Sequence, residues 1–558
     1  MEIYNIMNEK YKNYLYGIIT FLSVGFLELF YFRDIFTKNL IPGEGADCRL
    51  IGMILEHWFD VLCGKERILT LRFFWPYTNT LGYSDALWGP GLIYSCFRMI
   101  GLKPFDAMPP ALMTLHVLGV VFFYLSLRKL RISRKLSVLG LLLSFWSCSY
   151  TQLIWHGQFF SLAFLSVFFY GILCIFSHRH ESWKKRLPSA ILITVSIGFC
   201  YLSAFYIAYL FTFYTLLVIF LYFCFLLLRD RTHLRELLHT ASLHIRELLF
   251  YVFLQLSWLI PLGIIYFPVY RAAVPDPALA RGLAPEPWDL FRTFSFAPLE
   301  MFVNAILPFT TDQTTPGLEI NRLFETSYGY PVIVVVLLLI STIDLLRHKK
   351  QFLFCMYAAF WLLFLLGCRY GSFYPWMYLK YLVPGSSAIR ATGRILGILT
   401  PAVALLLCLW LSDLSLRIQT KNSLYSAISF LLLFGALTLT GQCRRIYNDT
   451  SAELHTMTDH ISAPPSDCKA MILADPLLTS DPYVAQMNAC IIADHFDIYT
   501  LNGYSGNFPP EWDLLEGDLN NYFVMANHWL SVNGITDVSH IYIYYAPEDQ
   551  WIPYPDYR

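Results

Sequence analysis

The stretch Ile41–Asp60, IPGEGADCRLIGMILEHWFD, concentrates ionisable side chains beside a long apolar run, among them Glu44, Asp47, Glu56 and His57. Asp47 follows the flexible PGEGA and opens a helical pattern, and glycines in such a place let the backbone approach a ligand closely. The alternative is that Asp47 is an ordinary N-cap, which accepts hydrogen bonds from the first helical turn. Asp47 is therefore a candidate reactive carboxylate, and Glu44, Glu56 and His57 are candidate residues of the rim around it.

A second cluster of charge lies in YPWMYLKYLVPGSSAIRATGRILG, where Lys380, Arg390 and Arg394 precede an apolar run. Arg390 and Arg394 are four residues apart, so on a helix they share one face. Two guanidinium groups at a helix start suit a phosphate, which each can bind through two hydrogen bonds. The alternative is that these side chains snorkel towards lipid headgroups.

The elements that must position these residues are membrane-spanning helices. The 558-residue chain is 56% hydrophobic and 17% aromatic but only 14% charged. A water-soluble protein cannot cover so much apolar surface, and runs of about 20 apolar residues match the thickness of the hydrocarbon layer. We therefore predict an α-helical polytopic membrane protein with about eleven transmembrane helices, over residues 14–32, 107–127, 136–155, 157–176, 187–206, 207–228, 247–268, 331–346, 352–370, 394–411 and 423–441.

Five connecting loops carry the basic clusters RKLRISRK, RHESWKKR, RDRTHLRELL, RHKK and RIQTK. With eleven spans all five fall on one side, which the positive-inside rule identifies as cytoplasmic. The N-terminus, which has no cleavage site after its first apolar run, is then cytoplasmic and the C-terminus extracytoplasmic. The predicted location is the inner (cytoplasmic) membrane of the cell, with the long segments 33–106, 269–330, 371–393 and 442–558 outside.

Residues 442–558 differ in kind from the rest, because they hold four Lys and Arg against sixteen Asp and Glu. CKAMILADP and SHIYIYYAP are typical of short strands, and PPEWDLLEGDLNNYFVMANHWLSVNG of a helix. We predict a transmembrane module of residues 1–441 followed by a small, acidic, extracytoplasmic α/β domain. Cys443, Cys468 and Cys490 could form a disulfide in such a domain, but the sequence does not give the connectivity.

The first outer segment is expected to lie on the membrane surface. In CRLIGMILEHWFDVLCG, apolar residues recur at helical spacing while Arg49, Glu56 and Asp60 occupy other faces, which is typical of an interfacial amphipathic helix. Inside the spans, we predict Glu28 and His116 to be packing or interfacial residues. The sequence has no paired acids at mid-membrane and no evident internal repeat, which disfavours an ion-coupled transporter.

The motifs GEGADCRLIGMILEHWFD and FFWPYTNTLGYSDALWGPGLIY together resemble the first outer loop of bacterial membrane glycosyltransferases of the GT-C superfamily. VPGSSAIRATGR and LNGYSGNFPPEW are similar to later motifs of a poorly characterised subgroup, and the resemblance runs along most of the chain. Such enzymes use a polyprenyl-phosphate-linked sugar on the outer face of the membrane, with a carboxylate of the first outer loop as base. The resemblance implies a GT-C-like fold, Asp47 as the base and Asp85 of YSD as a second candidate.

The implied reaction agrees with these residue types. A carboxylate is needed to take the acceptor's proton, and cations stabilise the charge that grows on the leaving phosphate. Arg390, Arg394 and Lys380 are the expected phosphate-binding residues, and His156 of WHGQ is either a further donor or a hairpin residue at the headgroups. Because a phosphate leaves without a proton, one carboxylate suffices for inversion. The chain has Glu44-x-x-Asp47 and no Asp-x-Asp pair or WWDYG motif, so no residue is assigned to a metal, and a divalent cation has no support from the sequence.

Three functions share these features. The leading hypothesis is a glycosyltransferase whose partners are a polyprenyl-phosphate sugar, an unidentified cell-envelope acceptor and the bilayer, with no nucleic acid. A transporter or flippase for a lipid-linked sugar would use the same arginines but needs no outer carboxylate. A non-catalytic envelope assembly protein would use the acidic domain for docking and would tolerate replacement of the acids at 47 and 85.

Overall fold

The protein is mostly helical with one small sheet. The computed structural model describes residues 2–43, 45–272, 277–308, 318–348, 350–379, 382–418, 423–441, 449–515 and 519–555. Among these residues, eight helices are long and apolar enough to cross a membrane: Leu15–Lys38, Met108–Lys129, Arg134–Leu153, Gly157–Ser177, Phe205–Arg229, Ile245–Tyr270, Thr400–Ile418 and Ser423–Thr440. The prediction of a helical, multi-pass membrane protein is confirmed.

All eleven predicted apolar runs fall on helices, but three of these helices do not combine the length and hydropathy of the other eight. They are Trp183–Tyr201, which has three basic residues in its first turn, and the 17-residue helices Val332–His348 and Gln351–Gly367. The two titratable groups expected to be packing residues contact each other. Nδ1 of His116 lies 2.9 Å from Oε1 of Glu28, and both side chains are buried.

Shorter helices build the segments between the spans. On the predicted outer side they are Gly45–Leu62, Trp88–Met99, Pro277–Gly282, Pro298–Ile306, Leu318–Thr326, Trp376–Leu379 and Arg394–Ile398, with 3-10 turns at Thr80–Tyr83, Pro287–Phe291 and Ser386–Ala388. On the predicted cytoplasmic side, the helix Arg231–Leu243 follows a span directly. The outer helices supply most of the candidate site.

Residues 449–555, which we call the C-terminal segment, contain four strands: β1 (Ala470–Ala474), β2 (Tyr499–Thr500), β3 (Ile541–Tyr545) and β4 (Gln550–Pro553). They form one sheet of order β2-β1-β3-β4. β1 is parallel to β2 and β3, with Ala470 opposite both Tyr499 and Ile541, and β4 runs antiparallel to β3. Parallel neighbours need crossover connections, which two of the segment's helices provide. The helices of the segment are Ser451–Asp459, Leu477–Ser480, Pro482–His495 and Leu519–Val532, with a 3-10 turn at Ala546–Glu548.

The predicted small α/β unit is therefore present, with β1 buried along its whole length. The predicted boundary between residues 441 and 442 borders residues 442–448, which lie outside the described part of the chain, so the division into two domains stays a prediction. Cys443 also lies outside it. Cys468 and Cys490 are free and buried, so the structure gives them no disulfide.

The C-terminal segment is docked on the first outer segment by backbone and side-chain bonds. The amide of Ile41 donates to the carbonyl oxygen of Asp449 at 3.0 Å, and the amide of Phe74 donates to that of Asn502 at 2.9 Å. The guanidinium of Arg49 forms two hydrogen bonds with the Asp449 carboxylate, at 2.9 and 3.0 Å. These bonds bring the loop after β2 over the start of the helix Gly45–Leu62.

The helix Gly45–Leu62, which we call the Asp47 helix, is not an interfacial helix, and that prediction is wrong. Glu56, His57, Trp58 and Asp60 are all buried. The polar faces that were expected to meet headgroups are paired inside the protein, because the C-terminal segment and the helix Trp88–Met99 cover them. Local periodicity alone does not reveal such covering.

Candidate active site

Asp47 lies in the first turn of the Asp47 helix. The chain enters this helix through a tight turn in which Gly43 has φ +135° and Gly45 has φ +47°, conformations that side-chain-bearing residues rarely adopt. A Cβ atom on Gly43 would lie 2.6 Å from the Cβ of Cys48. This turn leaves the Asp47 side chain at the edge of the helix, where 35% of it is exposed.

Both carboxylate oxygens of Asp47 have partners from distant parts of the chain. Nδ1 of His156 lies 2.9 Å from Oδ2. The Tyr504 hydroxyl donates to Oδ1 at 3.0 Å. The carboxylate is thus held by a loop between two predicted spans on one side and by the C-terminal segment on the other.

The other ring nitrogen of His156 faces Arg394, whose Nη2 lies 3.3 Å from Nε2. Oε1 of Glu325 also lies 3.8 Å from this nitrogen. Because a carboxylate only accepts, the hydrogen bond between His156 and Asp47 is donated by Nδ1. His156 therefore connects the acid of the first outer segment to the arginine near the start of a late span.

Arg394 is itself neutralised by Glu325. Its Nε donates to Oε2 of Glu325 at 2.8 Å, and its Nη2 contacts the other oxygen. The guanidinium also lies over the rings of Phe159 and Tyr206, with centroid distances of 5.3 and 5.2 Å. A bidentate pair packed against aromatic faces fixes the arginine in one orientation.

The surroundings keep the two acids of this chain of contacts ionised. Burial acts to raise the pKa of Asp47, but the hydrogen bond from His156, the Tyr504 hydroxyl and the charge of Arg394 outweigh it, so the pKa lies below its ordinary value of 3.8. Burial likewise opposes ionisation of Glu325, and the charge and hydrogen bonds of Arg394 hold its pKa below the ordinary value. Asp47 can therefore accept a proton at neutral pH.

Asp85 lies near this site but is not bonded to Asp47 or His156. Its Oδ1 accepts a hydrogen bond from the amide of Phe205 at 3.0 Å, at the first residue of the helix Phe205–Arg229. Burial raises the pKa of Asp85 to about 6, although the Phe205 amide and the charge of Arg394 act against it. The Asp85 carboxyl is thus partly protonated near neutral pH. It also accepts the hydrogen bond of the first amide of the helix Phe205–Arg229.

Arg390 does not share a helix face with Arg394, so that geometric expectation is wrong. The helix begins at Arg394, and Arg390 precedes it in an extended stretch whose amide donates to the Tyr206 hydroxyl at 2.7 Å. In the described part of the chain, no carboxylate lies within ion-pair distance of the Arg390 guanidinium. Its side chain passes close to the C-terminal segment, because a Cβ on Gly506 would lie 3.5 Å from Nη2 of Arg390.

The remaining predicted residues are placed as follows. Glu44 and Lys380 lie outside the described residues. Glu56 is paired with Arg98 (Nε to Oε2, 2.8 Å) and accepts from the Tyr94 hydroxyl at 2.5 Å. His57 contacts Glu66 through Nδ1, and its Nε2 lies 3.2 Å from the carbonyl oxygen of Ile68. The structure thus brings Asp47, His156 and Arg394 together, and it engages Glu56 and His57 in separate buried contacts.

Two residues of the site have no counterpart in the sequence-based expectations. Tyr504 lies within LNGYSGNFPPEW, a motif that indicated similarity but named no functional side chain. Glu325 lies in the helix Leu318–Thr326 of the second outer segment, where nothing in the pattern marks it. For Tyr504 the available signal was its place in a quoted motif, whereas for Glu325 the only guide is the general rule that a buried arginine needs an acid as partner.

One group of carboxylates has the spacing of a metal site. Oxygens of Asp60, Glu66 and Asp494 all lie within 4.8 Å of one another. The guanidinium of Arg72 lies among them, with Nη2 3.1 Å from Asp60 and Nε 3.5 Å from Asp494. The positive charge of Arg72 thus already compensates part of the charge of these carboxylates. The group joins the first outer segment to the C-terminal segment, and it contains none of the candidate site residues.

No family model matches the chain, and no curated protein matches it by sequence. Among solved structures, it is similar to an archaeal oligosaccharyltransferase, AglB from Archaeoglobus fulgidus, solved in complex with an inhibitory peptide and a dolichol-phosphate. The similarity covers 93% of this chain and 69% of that chain, with 11% sequence identity and a TM-score of 0.46. At this level the similarity describes the path of the backbone, and no statement about activity follows from it.

Proposed function

We propose that this protein is a membrane glycosyltransferase of the GT-C type. It moves a sugar from a polyprenyl-phosphate donor to a cell-envelope acceptor on the extracytoplasmic face, with inversion and with Asp47 as general base. The observation that carries the proposal is the state of the Asp47 carboxylate, which is ionised, partly exposed and held at both oxygens by His156 and Tyr504. Each oxygen keeps a further lone pair that can receive a proton.

The proposed reaction is a single displacement at the anomeric carbon. The nucleophilic atom of the acceptor forms a bond to this carbon while the bond from the carbon to the phosphate oxygen breaks, and the electron pair of that bond stays on the phosphate. The proton of the acceptor moves to Asp47. Because the acceptor attacks opposite to the leaving group, the configuration inverts.

Arg390 is the proposed partner of the donor phosphate. It carries a charge that no carboxylate in the described part of the chain neutralises, whereas Arg394 is already engaged by Glu325. A phosphate beside Arg390 gains a charge-assisted hydrogen bond as negative charge grows on it. We therefore assign Arg394 to the orientation of His156, and Lys380 stays a predicted additional cation outside the described residues.

Asp47 is preferred to Asp85 as the base. The Asp85 carboxylate accepts the Phe205 amide at the start of a helix, whereas the Asp47 side chain is 35% exposed beside His156 and Arg394. We propose that Asp85 fixes the start of the helix Phe205–Arg229, whose Tyr206 packs on Arg394.

The test is transfer of radiolabelled sugar by purified protein in lipid nanodiscs, with a panel of polyprenyl-phosphate sugars and an extract of envelope acceptors. Asp47→Asn is expected to lower the rate by at least about 10²-fold, since it removes the proton acceptor but keeps the shape. Asp34→Asn is the matched control, because the ion pairs of Asp34 in the described part of the chain join it to Arg33 and Lys38 of its own helix. Normal transfer by Asp47→Asn would contradict the assignment of the base, and loss of transfer in Asp85→Asn alone would move the assignment to Asp85.

Two arms of the experiment separate the other functions. A flippase would move a labelled polyprenyl-phosphate sugar across a liposome membrane without consuming it, and Asp47→Asn would retain this movement. An assembly protein would tolerate Asp47→Asn in cells and lose function on deletion of the C-terminal segment. The glycosyltransferase proposal predicts product formation in vitro and its loss in Asp47→Asn.

A further inference from the structure

The loop after β2 is fixed over the candidate active site by contacts on both of its flanks. The carbonyl oxygen of Asn502 accepts from the amide of Phe74 at 2.9 Å, and the amide of Asn507 donates to the carbonyl oxygen of Tyr83 at 3.2 Å. Between them, the amide of Gly503 donates to Oε1 of Gln486 at 3.1 Å. These bonds tie residues 502–507 to the first outer segment and to the interior of the C-terminal segment.

The fit at Gly503 requires a glycine. A Cβ on this residue would lie 2.3 Å from the Phe74 ring, so a larger side chain would push the loop away from the first outer segment. The loop therefore approaches the first outer segment at backbone contact. The next residue, Tyr504, is the one whose hydroxyl reaches Asp47.

The Tyr504 hydroxyl is placed to restrict the Asp47 carboxylate. A carboxylate held by one donor can still rotate about its Cβ–Cγ bond, whereas donors on both oxygens fix its plane. His156 holds Oδ2 at 2.9 Å and Tyr504 holds Oδ1 at 3.0 Å. The Tyr504 ring is supported in turn by Tyr483, at a centroid distance of 5.5 Å in an edge-to-face arrangement.

We propose that Tyr504 is a positioning residue for the general base, so that the C-terminal segment is a constituent part of the active site and not only a cover or a docking module. This inference rests on the proposed function. The tyrosine does not exchange a proton with the acceptor. It orients the Asp47 carboxylate and stabilises its ionised form through a hydrogen bond donated to a charge.

The test uses Tyr504→Phe in the full-length protein, with Tyr483→Phe as matched control. The control removes a hydroxyl from the neighbouring ring, which packs against Tyr504 without contacting Asp47. Loss of a hydrogen bond to a charged group is expected to raise the pKa of Asp47 by about one unit. The acidic limb of the pH–rate profile of sugar transfer should then move up by about one pH unit in Tyr504→Phe and stay in place in Tyr483→Phe.

A second readout does not depend on transfer. Carbodiimides modify protonated carboxyl groups, and mass spectrometry of the labelled protein reports Asp47 and Asp85 separately. At pH 5 to 6, Tyr504→Phe should raise the labelling rate of Asp47 about tenfold, because about ten times more of it is protonated, and should leave that of Asp85 unchanged. Asp47→Asn serves as the blank.

The outcomes are distinguishable. An unchanged labelling rate of Asp47 in folded Tyr504→Phe would overturn the inference, whether or not the wild-type protein transfers sugar. Equal effects of Tyr504→Phe and Tyr483→Phe would also overturn it, because a purely structural role predicts that result. Raised labelling in Tyr504→Phe with no transfer by the wild type would support the contact and contradict the proposed function instead.

Discussion

Nδ1 of His156 lies 2.9 Å from the Asp47 carboxylate, although 109 residues separate them in the chain. This bond joins the first outer segment to a loop between two apolar helices. Nε2 of the same ring contacts Arg394, so the imidazole links the position of this arginine to that of the acid. The geometry of Asp47 therefore depends on residues that never contact it.

Replacement of His156 tests this dependence. His156→Ala removes the donor to Oδ2 and is expected to lower the transfer rate by about 10- to 100-fold, the range of a hydrogen bond to a charged group. His156→Asn places an amide nitrogen near the position of Nδ1 and should restore part of the rate. Steady-state kinetics at saturating donor measure both. Equal rates for His156→Ala and the wild type would show that the imidazole does not position the base.

Glu325→Gln is expected to destabilise the protein. It leaves the Arg394 guanidinium buried beside a neutral partner, and loss of one charge from a buried pair costs roughly 3 kcal/mol. Asp344→Asn is the control, because its pair with Arg417 is more exposed and pairs of that kind contribute about 0 to 1 kcal/mol. Thermal unfolding in detergent compares the two midpoints. A smaller drop for Glu325→Gln than for Asp344→Asn would contradict the picture of a clamped arginine.

Arg390→Gln should weaken donor binding without destabilising the fold. The loss of one charge-assisted phosphate contact predicts a rise in the donor KM of about 10- to 100-fold. Arg33→Gln, at a side chain that is 72% exposed, is the matched control and should leave KM unchanged. The measurement is the rate against donor concentration at low and moderate salt. An unchanged KM in Arg390→Gln would remove Arg390 from the donor site.

The raised pKa of Asp85 predicts that the free energy of unfolding depends on pH. Its pKa is about 6 in the folded protein against an ordinary 3.8, so the fold favours the protonated carboxyl. The stability that this preference contributes is fully present below pH 4 and is lost as the pH rises to about 6. Asp85→Asn stays uncharged and avoids the loss, so its unfolding midpoint should rise relative to the wild type between pH 4 and 7. A constant difference across this range would mean that Asp85 ionises freely.

Much of the site could be predicted because its residues stand in short, recognisable stretches. Asp47 follows a glycine-rich turn, and Arg394 stands where the positive-inside bias disfavours a cation. Their partners could not be predicted in the same way, since Tyr504 lies 457 residues from Asp47 and Glu325 lies 69 residues from Arg394. Local periodicity contains no information on which distant side chain will complete a buried charge.

Contacts that local sequence does not show also explain the two wrong predictions. The polar faces of the Asp47 helix suggested a membrane surface, but Glu56 meets Arg98 from another helix and is buried. The spacing of Arg390 and Arg394 suggested one helix face, but the preceding PGSS turn, in which Gly385 has φ +84°, delays the helix until Arg394. The arginines approach the site through Tyr206, whose hydroxyl accepts from one and whose ring packs on the other.

The proposed mechanism is tested most directly by an experimental map of the protein with a non-reactive polyprenyl-phosphate sugar analogue bound. We expect the phosphate within hydrogen-bond distance of the Arg390 guanidinium and the anomeric carbon on the side of Asp47. A phosphate held by the basic loops on the opposite side of the membrane, or in the carboxylate group around Arg72, would contradict it.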